Sequence, residues 1–205
     1  MPGKFITFEG LDGAGKSTFI PFAREVLRKA GYDVLLTREP GGTAMGESVR
    51  TILLDPASRL SPESEALLVF AARQQHLQSV VWPAMDRGQC VLCDRFTDST
   101  YAYQGGGRGM TEAKLAVLES WVQKEFQPDL TLLFDVEESV SQARLKKDRA
   151  LDRFELEAID FHRRVRQAYL ERASRYASRV RLVEAGQSID NVKAEVEKVL
   201  LAICN

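Results

Sequence analysis

The sequence predicts an α/β fold, a five-stranded parallel sheet with helices on both faces, and three observations carry that reading. Apolar runs at 5–8, 34–37, 90–93, 130–134 and 180–183 alternate with stretches of helical periodicity, as strands buried on both faces and joined by helical crossovers do. The first run leads directly into Gly10-Leu11-Asp12-Gly13-Ala14-Gly15-Lys16-Ser17-Thr18, a strand-to-helix turn rich in glycine. No repeat, low-complexity tract or linker divides the 205 residues, so 1–205 reads as one domain, large enough to bury a core without disulfides or structural metal.

The elements follow in order. After the first strand, a helix places Ile20, Ala23, Leu27 and Ala30 on one face and stops near Gly31, with Pro21 expected to loosen or kink its early turns. A helix over 43–54 should end before Asp55-Pro56. Ser61-Pro62-Glu63 offers an N-cap, a first-turn proline and an acid at the positive helix end, opening a long helix toward Gly88 with Pro83 as its expected kink. Thr111 opens another helix, and helices over 155–176 and 188–204 complete the set. Pro40-Gly41-Gly42 and Gly105-Gly106-Gly107 are both expected after strands, at the sheet edge where open α/β folds bind ligands.

Composition narrows the function. With 44% hydrophobic and 28% charged residues and a net charge of −1, the chain has no global basic field for nucleic acid, and anions must be held by locally placed arginines. Nothing approaches the roughly 18 apolar residues of a membrane span. The first strand begins by Phe5, which leaves no room for a signal peptide, so a cytoplasmic enzyme without membrane or nucleic-acid partners is expected. Cys90 and Cys93 sit three apart in a strand, hence on opposite faces, and read as small buried hydrophobes rather than as a metal or redox pair. His76 and His162 lack ligand spacing and read as ordinary core or surface histidines.

The glycine-rich turn is a phosphate-binding loop. Residues Gly10, Leu11, Asp12, Gly13, Ala14, Gly15, Lys16, Ser17 and Thr18 would cradle a nucleoside triphosphate with backbone amides, the Lys16 cation and a helix N-terminus, Ser17 offering its hydroxyl to Mg2+. Arg38 and Arg95 follow the second and third strands, at ends that share the loop's side of the sheet. They are candidates for a second phosphate, solvated charge being the plain alternative. Asp94 ends its strand as a carboxylate able to organise magnesium, with a salt bridge to an arginine as its competitor.

At these residues the chain resembles the thymidylate kinase family, enzymes that phosphorylate thymidine monophosphate (dTMP) to the diphosphate. The resemblance spans nearly the whole sequence. It rests on Phe8-Glu9-Gly10-Leu11-Asp12-Gly13-Ala14-Gly15-Lys16-Ser17-Thr18, on Thr37-Arg38-Glu39-Pro40-Gly41-Gly42-Thr43, and on Phe70-Ala71-Ala72-Arg73. Further along come Asp94-Arg95-Phe96, then Tyr101-Ala102-Tyr103-Gln104-Gly105-Gly106-Gly107-Arg108-Gly109, and finally Leu151-Asp152-Arg153-Phe154-Glu155. The first motif is common to many ATPases, whereas the others in this order are particular to the family.

The resemblance implies a three-layer P-loop NTPase fold of the nucleoside monophosphate kinase type, ATP as donor with Mg2+, dTMP as acceptor in dTTP biosynthesis, and a homodimer. It implies that Phe70 stacks on thymine and that Arg73, three residues on along the helix, hydrogen-bonds the base edge. Without it, Phe70 reads as a core aromatic. It also implies that Arg38 and Arg95 hold the monophosphate and Asp12 the 3′-hydroxyl. Ser99, Thr100 and Gln104 would contact the nucleotide, and Tyr103 would fill the space of a ribose 2′-hydroxyl. In-line transfer needs positioning and charge more than a nucleophile.

Some members carry a catalytic arginine inside the loop, but position 13 here is Gly, which implies the bacterial type with an arginine on a mobile lid. The basic segment at about 144–153 is the expected lid, Arg153 and Arg149 its expected arginines, and a solvated helix end the plain alternative. Closure would exclude water from the transfer. Another nucleoside monophosphate kinase would share the loop, arginines and lid. A GTP-binding switch would need Asn/Thr-Lys-x-Asp, which Leu145-Lys146-Lys147-Asp148 only approaches.

Overall fold

A computed structural model describes residues 3–145 and 151–204. The expected lid arginine Arg149 lies outside the described residues.

Five strands, β1 (Phe5–Glu9), β2 (Val34–Arg38), β3 (Cys90–Asp94), β4 (Leu130–Asp135) and β5 (Val180–Glu184), form one parallel sheet in the order β2-β3-β1-β4-β5. The central strands β1, β3 and β4 are buried along nearly their whole length, while the edge strands β2 and β5 are partly exposed. That difference explains why continuous apolar runs mark the middle of the sheet. Strand addition reverses at β1, so the crevice beyond the carboxyl ends of β1 and β3 is the expected ligand site.

Alternation along the strands divides the core. Ile6, Phe8, Leu92, Leu132 and Phe134 pack under α1 (Lys16–Lys29) and α9 (Ile189–Cys204). Phe5, Val91 and Cys93 face the opposite layer with Leu77, Val81 and Phe96. Cys90 belongs to the first layer and Cys93 to the second, both as buried free thiols, as the period of two requires. Helix α1 runs unbroken through Pro21. The helix α2 (Ala44–Leu54) is capped by Thr43, whose hydroxyl accepts from the Gly46 amide, and α3 (Pro62–His76) by Ser61, which accepts from the Ser64 amide.

Three expectations need correction. The long helix does not bend at Pro83 alone: α3 passes into a π-turn at Leu77–Val81, where the Trp82 amide returns to the Leu77 carbonyl, before α4 (Trp82–Asp86). Proline cannot donate an amide to the ladder, and the preceding turn widens. Gly105-Gly106-Gly107 is not a loop at a strand end. Helix α5 (Thr97–Thr100) continues as a π-helical segment, Tyr101–Gly107, whose Gly106 and Gly107 lie against α8 (Ile159–Arg175). Helix α8 also starts four residues later than expected, because Asp152 Oδ1 accepts the amides of Phe154 and Glu155 and holds that stretch as a turn. Helices α6 (Glu112–Gln123) and α7 (Glu138–Leu145) complete the described set.

The glycine contact with α8 is tight: a Cβ on Gly106 would lie 2.6 Å from Ala168 Cβ and 2.8 Å from the Arg164 carbonyl oxygen. Gly106→Ala should therefore lower unfolding stability by about 1–3 kcal/mol through overpacking, read by urea denaturation; an unchanged midpoint would show that the helices have room to part.

Candidate active site

The phosphate loop is shaped by what surrounds it. Gly10 has φ 130°, and a Cβ there would lie 2.3 Å from the Phe134 carbonyl oxygen. At Gly13, φ is 80° and a Cβ would lie 2.5 Å from the Ser141 carbonyl oxygen on α7. A side chain at position 13 would thus be strained by the backbone conformation and would meet α7. Ser141 Oγ donates to the Asp12 carbonyl at 2.5 Å, and Arg144 donates to the carbonyls of Gly13 at 3.3 Å and Ala185 at 3.2 Å. The start of the expected lid is therefore already tied to the loop.

Lys16 is buried, and its ammonium donates to the carbonyls of Gly10 and Leu11 at 3.0 and 2.9 Å. Burial, with Arg95 adding to it, pushes its pKa down against the pull of Asp94, Asp12 and Glu9. Ser17 and Thr18 are exposed at the start of α1. Ser17, Arg38 and Asp94 line one open groove. Within it Asp94 Oδ1 is buried without a hydrogen-bond partner among the described residues, so none of their arginines makes the competing salt bridge with that oxygen. A hydroxyl and an orphaned carboxylate oxygen beside the loop fit Mg2+, which takes few protein ligands and completes its shell with water and phosphate oxygens.

Arg95 joins the loop to the second half of the site. It stands at φ 68°, its amide donating to the Phe8 carbonyl. Its guanidinium donates to Asp12 Oδ1 at 2.6 Å, Tyr103 hydroxyl at 3.1 Å, Ser99 Oγ at 3.2 Å and Tyr169 hydroxyl at 3.1 Å. Burial alone would raise the Asp12 pKa, but the charges of Arg95 and Lys16 hold it well below the usual carboxylate range. Beneath them Glu9 accepts from the Phe96 amide, Ser99 Oγ and Tyr169 hydroxyl at 2.7, 2.5 and 2.9 Å. Burial, reinforced by Asp98, pushes Glu9 up to about 7.

These residues open onto a cavity of roughly 600 Å³, its open mouth included. Asp12, Arg73, Arg95, Ser99, Thr100, Tyr103 and Gln104, all expected from the sequence, line it together. Arg73 Nη2 donates to Thr100 Oγ1 at 3.0 Å, and Tyr103 donates to Asp12 Oδ2 at 3.0 Å with its ring 4.9 Å from the Arg95 guanidinium. Arg38, outside this cavity, pairs with Glu47 at 2.8 Å. Sequence reasoning missed Arg50, which lines the cavity and donates to the Pro40 carbonyl at 3.2 Å. Burial pushes its pKa down, and the fields of Arg38 and Arg95 add to this. It sits mid-helix in α2 with no motif around it.

Two expected residues stand elsewhere. Phe70 does not line the cavity; it is 2% exposed, packed with Ala66, Tyr101 and Leu115, and supports the Arg73 guanidinium 4.9 Å from its ring centre. Val69 and Phe96 face the cavity instead. One residue along a helix turns the side chain by about 100°, which moves the preceding Val69 to the wall. Arg153 does not reach the phosphate loop in this conformation. Its Nε donates to the Leu53 carbonyl at 2.8 Å, its Nη1 to Glu65 Oε1 at 3.2 Å, and its guanidinium covers Phe154. Glu65 is fully buried and takes Arg153 together with Arg108, 2.8 Å away, as its cations.

Two measurements follow. Arg153→Ala should cost on the order of 2 kcal/mol of stability by weakening the neutralisation of Glu65, read by chemical denaturation; wild-type stability would release Arg153 from this structural role. A carboxyl raised from 4.5 to about 7 on folding contributes stability that is complete below about pH 4.5 and lost as pH rises through about 7. Glu9→Gln should therefore flatten the fall in stability between those limits, and an unaltered pH profile would show that Glu9 does not titrate there.

The comparisons agree with this geometry. The thymidylate kinase family model matches residues 8–196. Thymidylate kinase of Nitrosospira multiformis is 52% identical over 203 residues, covering 99% of each chain. That of Thiobacillus denitrificans is 53% identical over 200 residues, covering 98% of this chain and 97% of its own. A solved thymidylate kinase structure from Ehrlichia chaffeensis superposes with a TM-score of 0.80 at 35% identity, covering 98% of this chain and 99% of that one. With its sheet order, its phosphate loop and the arginine-lined cavity beside it, the chain belongs to the thymidylate kinase family.

Proposed function

We propose that the chain transfers the γ-phosphoryl of ATP to dTMP, giving dTDP and ADP, in the supply of dTTP. The observation that carries this is Asp12: it is part of the phosphate loop, yet its carboxylate binds Arg95 and Tyr103 in the neighbouring cavity. Donor and acceptor sites therefore share a wall, as direct transfer between two bound phosphates requires.

In this reading the loop amides of residues 10–18 and Lys16 hold the donor phosphates, and Arg38, Arg50 and Arg95 receive the acceptor phosphate. Ser17 and Asp94 would hold Mg2+, which would supply charge neutralisation to the donor phosphates. The acceptor oxygen is already anionic, so the residues have only to align it and offset charge. Asp12 and Tyr103 bound the sugar site, the ring of Tyr103 occupying the place of a 2′-hydroxyl. Arg73, Thr100 and Gln104 face the base, and Ser99 holds Arg95. Arg144, tied to the Gly13 carbonyl, anchors the lid, on which Arg149 is the arginine proposed for the transferring phosphoryl. Arg153 braces the acceptor wall through Glu65. A cytoplasmic homodimer is the proposed state. Among the described residues no helix is long and apolar enough to cross a membrane, and Trp121 on α6 is 79% exposed, a surface suited to a second copy.

A coupled assay with magnesium-ATP and a panel of nucleoside monophosphates tests the assignment: dTMP should give the highest kcat/KM, and preference for another monophosphate would replace it with a different kinase of this fold. Tyr103→Ala should narrow the ratio of deoxy to ribo substrates by about tenfold or more; an unchanged ratio would leave Tyr103 a purely structural aromatic.

A further inference from the structure

Arg73 is held on every side but one. It is 1% exposed, and its guanidinium lies 4.9 Å from the Phe70 ring centre and 4.8 Å from that of Phe96. Its Nε donates to Glu39 Oε2 at 2.7 Å and its Nη2 to Thr100 Oγ1 at 3.0 Å. Among the described residues Nη1 alone is buried without a partner, on a side chain that lines the cavity. A buried guanidinium N–H with no acceptor is costly unless a ligand supplies one.

Glu39 is in turn held from behind. Its Oε1 meets His76 Nδ1 at 2.9 Å, and His76 Nε2 meets Thr37 Oγ1 at 2.6 Å. Glu39 is 3% and His76 0% exposed. Burial raises the Glu39 pKa, but the Arg73 charge and the His76 hydrogen bond hold it below the usual range, so an ionised carboxylate accepts from both. In the Nδ1–H tautomer His76 donates to Glu39 and accepts the Thr37 hydroxyl at Nε2, which satisfies both ring nitrogens. The ring takes the space that a side chain at position 42 would need, since a Cβ on Gly42 would lie 2.7 Å from His76 Cδ2.

We infer that Glu39 and His76 are positioning residues for acceptor-base selection: the relay Thr37–His76–Glu39 aims Arg73 Nη1 at a carbonyl oxygen on the base edge and disfavours a base carrying an amino group there. The inference rests on the proposed transfer to dTMP. A donor fixed in a dry wall favours a carbonyl over an amino group because the amino group leaves both donors unpaired. A donor free to turn away loses that discrimination along with affinity.

The test is steady-state kinetics of the full chain with dTMP and with deoxycytidine monophosphate, which carries an amino group where thymine has its 4-carbonyl. Glu39→Gln should raise KM for dTMP about tenfold, leave KM for ATP unchanged, and lower the dTMP-to-deoxycytidine preference about tenfold, the loss of one charge-assisted contact. His76→Leu should shift both quantities in the same direction, and His76→Asn, which can restore a donor at the Nδ1 position, should recover most of the loss. In an Arg73→Ala background, Glu39→Gln should add nothing to KM for dTMP. Should Glu39→Gln fail to fold, the two His76 variants decide the matter alone. Loss of kcat and of ATP affinity with selectivity retained, or full additivity with Arg73→Ala, would overturn the inference. A wild-type chain without preference for dTMP would overturn the functional reading instead.

Discussion

The ion pair between Asp12 and Arg95, 2.6 Å across, is the interaction on which the rest of the site depends. One partner belongs to the loop after β1 and the other to the residue after β3, so the pair closes the crevice at the reversal of strand order. Arg95 takes a left-handed backbone that a bulky residue seldom adopts, and its amide and four side-chain partners hold it there. The Asp12 carboxylate is stabilised by Arg95 and Lys16, and Asp12 and Asp94 offset the repulsion between those two cations. Lys16 is buried and Asp12 and Arg95 are partly so, and removing one of the pair leaves its neighbour without that partner.

Around that pair the fold repeats one device. A carboxylate buried in the scaffold fixes an arginine or the segment that carries it. Glu9 binds the Phe96 amide and Ser99 beside Arg95; Glu39 binds Arg73; Glu65 binds Arg108 and Arg153. Anions can then be received by cations that are already oriented, so little ordering is left to the moment of binding. The cavity wall is stiff because its polar atoms are bonded to residues in the layers behind it, from α3 to α8.

Much of this was readable in the chain. The five strands stand where their apolar runs stand; the central three are buried on both faces and so are mostly apolar along their length. The phosphate loop is local, and its spacing suffices to place it. Arg38 and Arg95 were legible as candidates because one ends its strand and the other directly follows its strand, and strand ends are points where sequence position implies spatial position. Arg50, Val69, Glu39 and His76 had no such address. Arg50 and Val69 lie on helices whose rotation decides what they face, and Glu39 and His76 are 37 positions apart, joined only when β2 and α3 pack together.

The sequence by itself determined what depends on neighbours along the chain: the alternation of strands and helices, the loop that binds phosphates, the cap residues, and the opposite faces taken by Cys90 and Cys93. Tertiary structure decided what depends on how helices turn and where buried charges find partners. It set Phe70 beneath Arg73 rather than in the cavity, bound Arg153 to Glu65, and turned Gly106 and Gly107 from a loop into a contact with α8. The reason is one of range, for local spacing fixes backbone geometry over a few residues, whereas a buried side chain settles only when every element packed against it is in place.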